Sequence, residues 1–180
     1  MNVPMKKMIY DRLTGRETSL AVIGLGYVGV PVALRFARCF DVVGYDMDAR
    51  RIEKLREKYG AGCGSIRFTS LEEELSRAAF YIVTVLTPVN ERKNPDLTCL
   101  VEATRTVARY LKRGDYVVYE STVYPGCTEE VCVPLLEKGS GLKLGADFKV
   151  GYSPERINPN DSEHTFSNLS LIHISEPTRP

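Results

Sequence analysis

The 180-residue chain predicts an α/β domain, a doubly wound parallel sheet of about six strands with helices on both faces. Three observations predict it. Short apolar runs alternate with helix-period patterns along the chain, as strand–helix–strand units require. One run, residues 80–86, is apolar nearly throughout and has no wet face, so it suits a strand covered on both sides. The first strand-to-helix crossover carries Gly24, Gly26 and Gly29 in a G-x-G-x-x-G spacing.

Strand one is expected over 20–23 and feeds the glycine turn. A helix over 30–39 follows, with Val30, Ala33, Leu34 and Ala37 inward and Pro31 tolerated in its first turn. Strand two covers 40–46. A charged helix over 48–58 turns Ile52 and Leu55 inward and stops at Gly60. Strand three is short, 66–69. Ser70 and Glu73 form a capping box for a helix over 71–78. Strand four is 80–86, and 87–95 is loop. Thr98 caps a helix whose Leu100, Val101, Thr104, Val107, Ala108 and Leu111 face inward, and Gly114 ends it. Strand five is 116–120. A helix over 128–138 carries Glu129 and Glu130 in its first turn, where the dipole favours them. Strand six is 148–152. With the glycine motif at its first crossover, this is the Rossmann-like arrangement.

Each glycine has a separate task in such a turn. Gly24 permits the tight exit from the strand, Gly26 lets backbone approach a pyrophosphate, and Gly29 lets the helix pack close to the sheet. Leu25, Tyr27 and Val28 complete the turn, and the helix N-terminus beyond it favours anions. Asp46 ends the second strand, 17 residues after Gly29. A carboxylate there accepts hydrogen bonds from an adenine ribose and repels a 2′-phosphate, which points to NAD. Arg50 and Arg51 follow closely and argue the other way, toward NADP, unless they are a solvated basic face.

A net charge of +1 gives no reason to expect nucleic acid, and no apolar run has the length of a membrane span. The first residues lack the apolar core of a signal peptide, so a cytoplasmic location is expected. The five cysteines form no C-x-x-C pair and have no neighbouring histidine, so no metal site is expected. Cys127, at a helix start, is open to a reactive reading, but it has no nearby basic partner in sequence and reads better as a packing thiol.

Ligands of a doubly wound sheet bind outside the carboxyl ends of its strands. Besides the glycine turn, three segments lie there: 84–88 (Thr-Val-Leu-Thr-Pro), 119–126 (Tyr-Glu-Ser-Thr-Val-Tyr-Pro-Gly) and 152–159 (Tyr-Ser-Pro-Glu-Arg-Ile-Asn-Pro). Together they resemble the N-terminal domain of the nucleotide-sugar 6-dehydrogenases, from about Ser19 to Asn168, and their form is similar to the branch acting on UDP-N-acetylhexosamines. The resemblance implies oxidation of a sugar C6 alcohol to a carboxylate with two NAD per turnover, through an aldehyde and a cysteine thioester, for surface-polysaccharide synthesis. It implies that Gly24, Gly26, Gly29, Asp46, Arg51 and Thr87 hold NAD, with Ser121 and Thr122 near the nicotinamide. Thr122 would also help position a water. Glu155 would serve acid/base steps, and Arg156 and Asn158 would join it at the UDP-sugar substrate. Plainer readings exist for some of these residues: Thr87-Pro88 as a loop entry, Thr122 as a strand end, Glu155 as an exposed partner of Arg156.

The chain departs from the family pattern in two places. Residues 59–65 are shorter and richer in glycine than usual. Residues 169–179 match the in-frame translation of a sequencing-library adapter, so 169–180 is expected to be a non-native tail and 1–18 an N-terminal extension. The family's nucleophilic cysteine, its central helix with a lysine and an asparagine, and its UDP-binding domain have no counterpart here. The expectation is a fragment that binds NAD without turning over a sugar, from an enzyme that forms a homodimer when whole. A UDP-glucose 6-dehydrogenase, another two-domain NAD dehydrogenase and a non-catalytic NAD-binding module are the alternatives.

Overall fold

The computed structural model describes residues 7–60, 64–89 and 95–153. One parallel sheet organises them, formed by β1 (Ser19–Ile23), β2 (Val42–Tyr45), β3 (Ile66–Thr69), β4 (Ala78–Val83), β5 (Tyr116–Tyr119) and β6 (Lys149–Tyr152). The spatial order is β3-β2-β1-β4-β5-β6, with each neighbouring pair parallel. The chain winds outward from β1 through β2 to β3, then returns and winds the other way from β4. The crevice between β1 and β4 is therefore the topological switch point.

Side chains of β1 alternate between two apolar layers, as the two-residue period of a strand dictates. Leu20 and Val22 pack with Leu13 of α1 (Ile9–Thr14), Val32 of α2 (Gly29–Phe36) and Ile52 of α3 (Ala49–Tyr59). Ala21 and Ile23 face the other layer, with Leu100 of α4 (Thr98–Tyr110) and Leu136 of α5 (Val133–Ser140). Helices thus cover both faces, and the apolar run of β4 is explained: Tyr81 and Val83 serve one layer, Ile82 the other.

Several local expectations need correction. Of the expected inward residues of α2, Ala33 and Ala37 at its C-cap are buried, Val30 and Leu34 are half-buried against the core, and Val32 joins the buried face. The capping box at Ser70 and Glu73 does not form. Thr69 Oγ1 accepts the Leu71 N–H at 3.0 Å instead, and the stretch before β4 is a 3-10 helix, Glu72–Arg77. Thr98 is not a cap but the first residue of α4, and Asp96 Oδ1 accepts its N–H at 2.9 Å. The helix expected over 128–138 opens as a π turn, Thr128–Cys132, before α5. Pro134 has no N–H to give the Glu130 carbonyl, so the regular ladder cannot run through. The N-terminal extension contains α1, whose Leu13 is buried in the core.

Candidate functional site

The end of β1 and the start of α2 are pressed together so tightly that two positions admit only glycine. Gly24 has φ +91°, and a Cβ there would stand 2.8 Å from Val85 Cγ1. A Cβ on Gly29 would lie 1.9 Å from the Gly24 carbonyl oxygen and 2.6 Å from Thr84 Oγ1. Thr84 sits just past β4, where its hydroxyl bonds the Gly24 carbonyl at 2.7 Å and lies 3.1 Å from that of Ile23. β4 ends at Val83 rather than at Leu86, and the Thr84 hydroxyl just beyond it braces the glycine turn.

Gly26 differs from both. A Cβ there would meet nothing closer than Arg51 Nη1 at 3.9 Å. Nothing in the protein itself demands glycine at this position. The missing side chain leaves bare backbone, as a group pressed against the main chain would require.

Asp46, just past β2, is 9% exposed. Its Oδ2 accepts the Leu25 N–H at 2.9 Å, and its Oδ1 accepts the Asp48 N–H at 2.9 Å. Arg51 Nη1 lies 3.7 Å from Asp46 Oδ2 and donates to the Leu25 carbonyl at 3.3 Å. The carboxylate is therefore fixed beside the turn, and its remaining lone pairs can accept ribose hydroxyls. Arg51 is not merely a solvated face: it ties α3 to the turn. Asp48 caps that helix, accepting the N–H groups of Arg50 and Arg51.

A cleft of about 240 Å³ opens beside the turn, between residues 26–28, the loop 84–88 after β4 and residues 120–122 after β5. Two hydrogen bonds join the latter loops. Ser121 Oγ donates to the Val85 carbonyl at 2.7 Å, and the Thr87 hydroxyl donates to the Thr122 carbonyl. Ser121 is buried and Thr122 exposed at the mouth. The structure thus brings Gly26, Tyr27, Val28, Thr87, Ser121 and Thr122 to one cleft, with Asp46 and Arg51 linked to the glycine turn through Leu25. Glu155, Arg156 and Asn158 lie outside the described residues. Thr84 and Glu120 also line the cleft; sequence reasoning placed both in ligand-edge segments but gave neither a role of its own.

Cys127 and Cys132 are buried, and burial pushes both thiols up, Cys132 to about 11. They are packing groups, not nucleophiles at neutral pH.

A family model for the NAD binding domain of the UDP-glucose/GDP-mannose dehydrogenases matches residues 18–176. The chain belongs to the UDP-glucose/GDP-mannose dehydrogenase family. Relatives named UDP-N-acetyl-D-glucosamine 6-dehydrogenase, from Salmonella typhi and Pseudomonas aeruginosa, are 48% and 46% identical over 87% of this chain. The chain spans 39% and 40% of their respective lengths. A solved UDP-D-ManNAc dehydrogenase from Pyrococcus horikoshii shares the fold with a TM-score of 0.72 and 39% identity, over 78% of this chain and 37% of that one. The bare backbone at Gly26 and the fixed carboxylate of Asp46 fit the NAD that this family's domain binds.

Proposed function

We propose that this chain is the cofactor-binding part of an NAD-dependent UDP-N-acetylhexosamine 6-dehydrogenase. The observation that carries the reading is one edge of the sheet holding both halves of a dinucleotide site: Asp46 beside Leu25 for the adenosine, and the cleft past β4 and β5 for the nicotinamide. Relatives named for UDP-N-acetyl-D-glucosamine support the sugar class. Gly24, Gly26 and Gly29, with Leu25, Tyr27 and Val28, cradle the diphosphate. Arg51 steadies the adenosine end. Thr87, Ser121 and Thr122 frame the nicotinamide.

Bound NAD supplies the hydride acceptor for a sugar C6 alcohol, used twice on the way to the uronic acid. Thr122, at the cleft mouth, positions water; Glu155 exchanges protons; Arg156 and Asn158 bind the sugar. The thiol that traps the aldehyde belongs to the whole protein and not to the cysteines present here, so this chain binds NAD without turnover. Residues 169–180 are a non-native tail, and the whole enzyme is a cytoplasmic homodimer that supplies surface polysaccharide.

The test is a pair of measurements with UDP-N-acetylglucosamine and NAD. The 180-residue chain binds NAD and forms no NADH, while the protein encoded by the genomic reading frame continued past Asn168 forms two NADH per sugar. NADH formation by the short chain, or none by the continued one, overturns the reading.

A further inference from the structure

Thr84 and Asp46 hold opposite ends of one peptide group, the one that joins Gly24 to Leu25 in the turn after β1. Its carbonyl oxygen accepts the Thr84 hydroxyl at 2.7 Å, and its N–H donates to Asp46 Oδ2 at 2.9 Å. A trans peptide points its C=O and N–H in opposite directions, and β1 lies between β4 and β2. Thr84, just past β4, therefore grips the group from one side, while Asp46, just past β2, grips it from the other. Both residues are buried. Each is anchored by its own backbone: the Thr84 N–H donates to the Ile23 carbonyl at 2.9 Å, and the Asp46 N–H to the Thr69 carbonyl at 3.2 Å.

We infer, resting on the NAD reading above, that Thr84 is a positioning residue for the cofactor, acting through the Gly24–Leu25 peptide on Asp46. Asp46 has to accept the Leu25 N–H and face a ribose at once, so its aim depends on where that N–H points. Because the peptide is planar, any rotation swings its N–H and its carbonyl together. The Thr84 hydroxyl resists that rotation at the carbonyl end. Valine has nearly the shape of threonine but offers no donor, so it would fill the same space and free the carbonyl. The consequence crosses the switch point. Thr84 lines the cleft assigned to the nicotinamide, yet its loss is felt at the adenosine end.

The test is calorimetric titration of the 180-residue chain and its T84V, T84S, D46A and T84V/D46A variants with NAD⁺ and with ADP-ribose, which has no nicotinamide. T84V weakens both ligands alike, by about fivefold. T84S, which keeps the hydroxyl, stays within about twofold of the parent chain, and the T84V step shrinks below about twofold once Asp46 is alanine. A T84V step of the same size in both backgrounds overturns the proposal, as does T84S as weak as T84V, or T84V without effect. Loss of NAD⁺ with ADP-ribose spared also overturns it, since Thr84 would then act on the nicotinamide directly. Should T84V not fold, T84A takes its place under the same criteria, and failure of both to fold replaces positioning with a purely structural role. An unaltered chain that binds neither ligand would instead mark a failure of the NAD reading itself.

Discussion

The Asp46 carboxylate accepts the Leu25 backbone N–H at 2.9 Å, so the acid that ends β2 is built into the glycine turn that follows β1. With the Asp48 N–H on its other oxygen, Asp46 is already aligned before any ribose arrives. A hydrogen bond to a charged group contributes about 1.5–3 kcal/mol. Asp46→Asn is therefore expected to weaken NAD by about tenfold or more, because an amide has one acceptor oxygen for two backbone donors and no charge for the ribose. The same change removes the repulsion of a 2′-phosphate beside Arg50 and Arg51, so the preference for NAD over NADP narrows. Competition titrations with the two cofactors measure both effects.

Gly26 and Gly29 separate binding from stability. A Cβ on Gly29 would stand 1.9 Å from backbone oxygen, with no flexible side chain to yield. Gly29→Ala is expected to lower stability by about 3 kcal/mol or more, a fall in Tm of roughly 6–12 °C. Gly26→Ala should melt within about 0.5 kcal/mol of the parent chain, yet bind NAD about tenfold more weakly. Thermal melts and calorimetry on the two variants make the comparison.

Alkaline pH should loosen the packing around β2. Burial first, then the neighbouring Glu72 charge, push the Tyr45 hydroxyl up to about 12, above the roughly 10 of an unfolded chain. The folded state then holds the proton more tightly than the unfolded one. The associated stability is complete below about pH 10 and drains away as pH rises to 12. Denaturant melts between these limits should show a decline of about 1–2 kcal/mol from this residue, and Tyr45→Phe should remove that share of the slope.

Thiol labelling should sort the cysteines by burial. Cys39 and Cys99 are exposed, whereas Cys127 and Cys132 are buried. With its thiol near 11, Cys132 has about one thiolate in a thousand at pH 8. Iodoacetamide on the native protein should modify Cys39 and Cys99 and spare Cys127 and Cys132 until denaturant is added, as peptide mass spectrometry would read.

The six strands, the helices on both faces and the cofactor turn are legible because each rests on a pattern in the chain: short apolar runs alternating with helix-period stretches, and the interval from Gly24 to Asp46. The local errors share a different cause. Ser70 and Glu73 have the spacing of a capping box, but the helix that follows is a 3-10 helix starting at Glu72, after a turn held by Thr69 Oγ1 on the Leu71 N–H, so Ser70 is not at its N-cap. The end of β4 at Val83 leaves no mark in the apolar run, and the bond from the Thr84 hydroxyl to the Gly24 carbonyl joins parts of the chain too far apart for spacing to show. The separate tasks expected of Gly24, Gly26 and Gly29 agree with the contacts: a Cβ on Gly24 or Gly29 would clash with its neighbours, and one on Gly26 would not. Glu120 is legible only as part of the 119–126 segment; its place in the cleft wall comes from β5 lying next to β4.

One titration bears most directly on the whole account: NAD⁺ and NADP⁺, each added to the folded 180-residue chain in a calorimeter. Saturable binding of NAD⁺, with NADP⁺ at least about tenfold weaker because of Asp46, is the predicted result. No heat with NAD⁺, or tighter binding of NADP⁺, would contradict it.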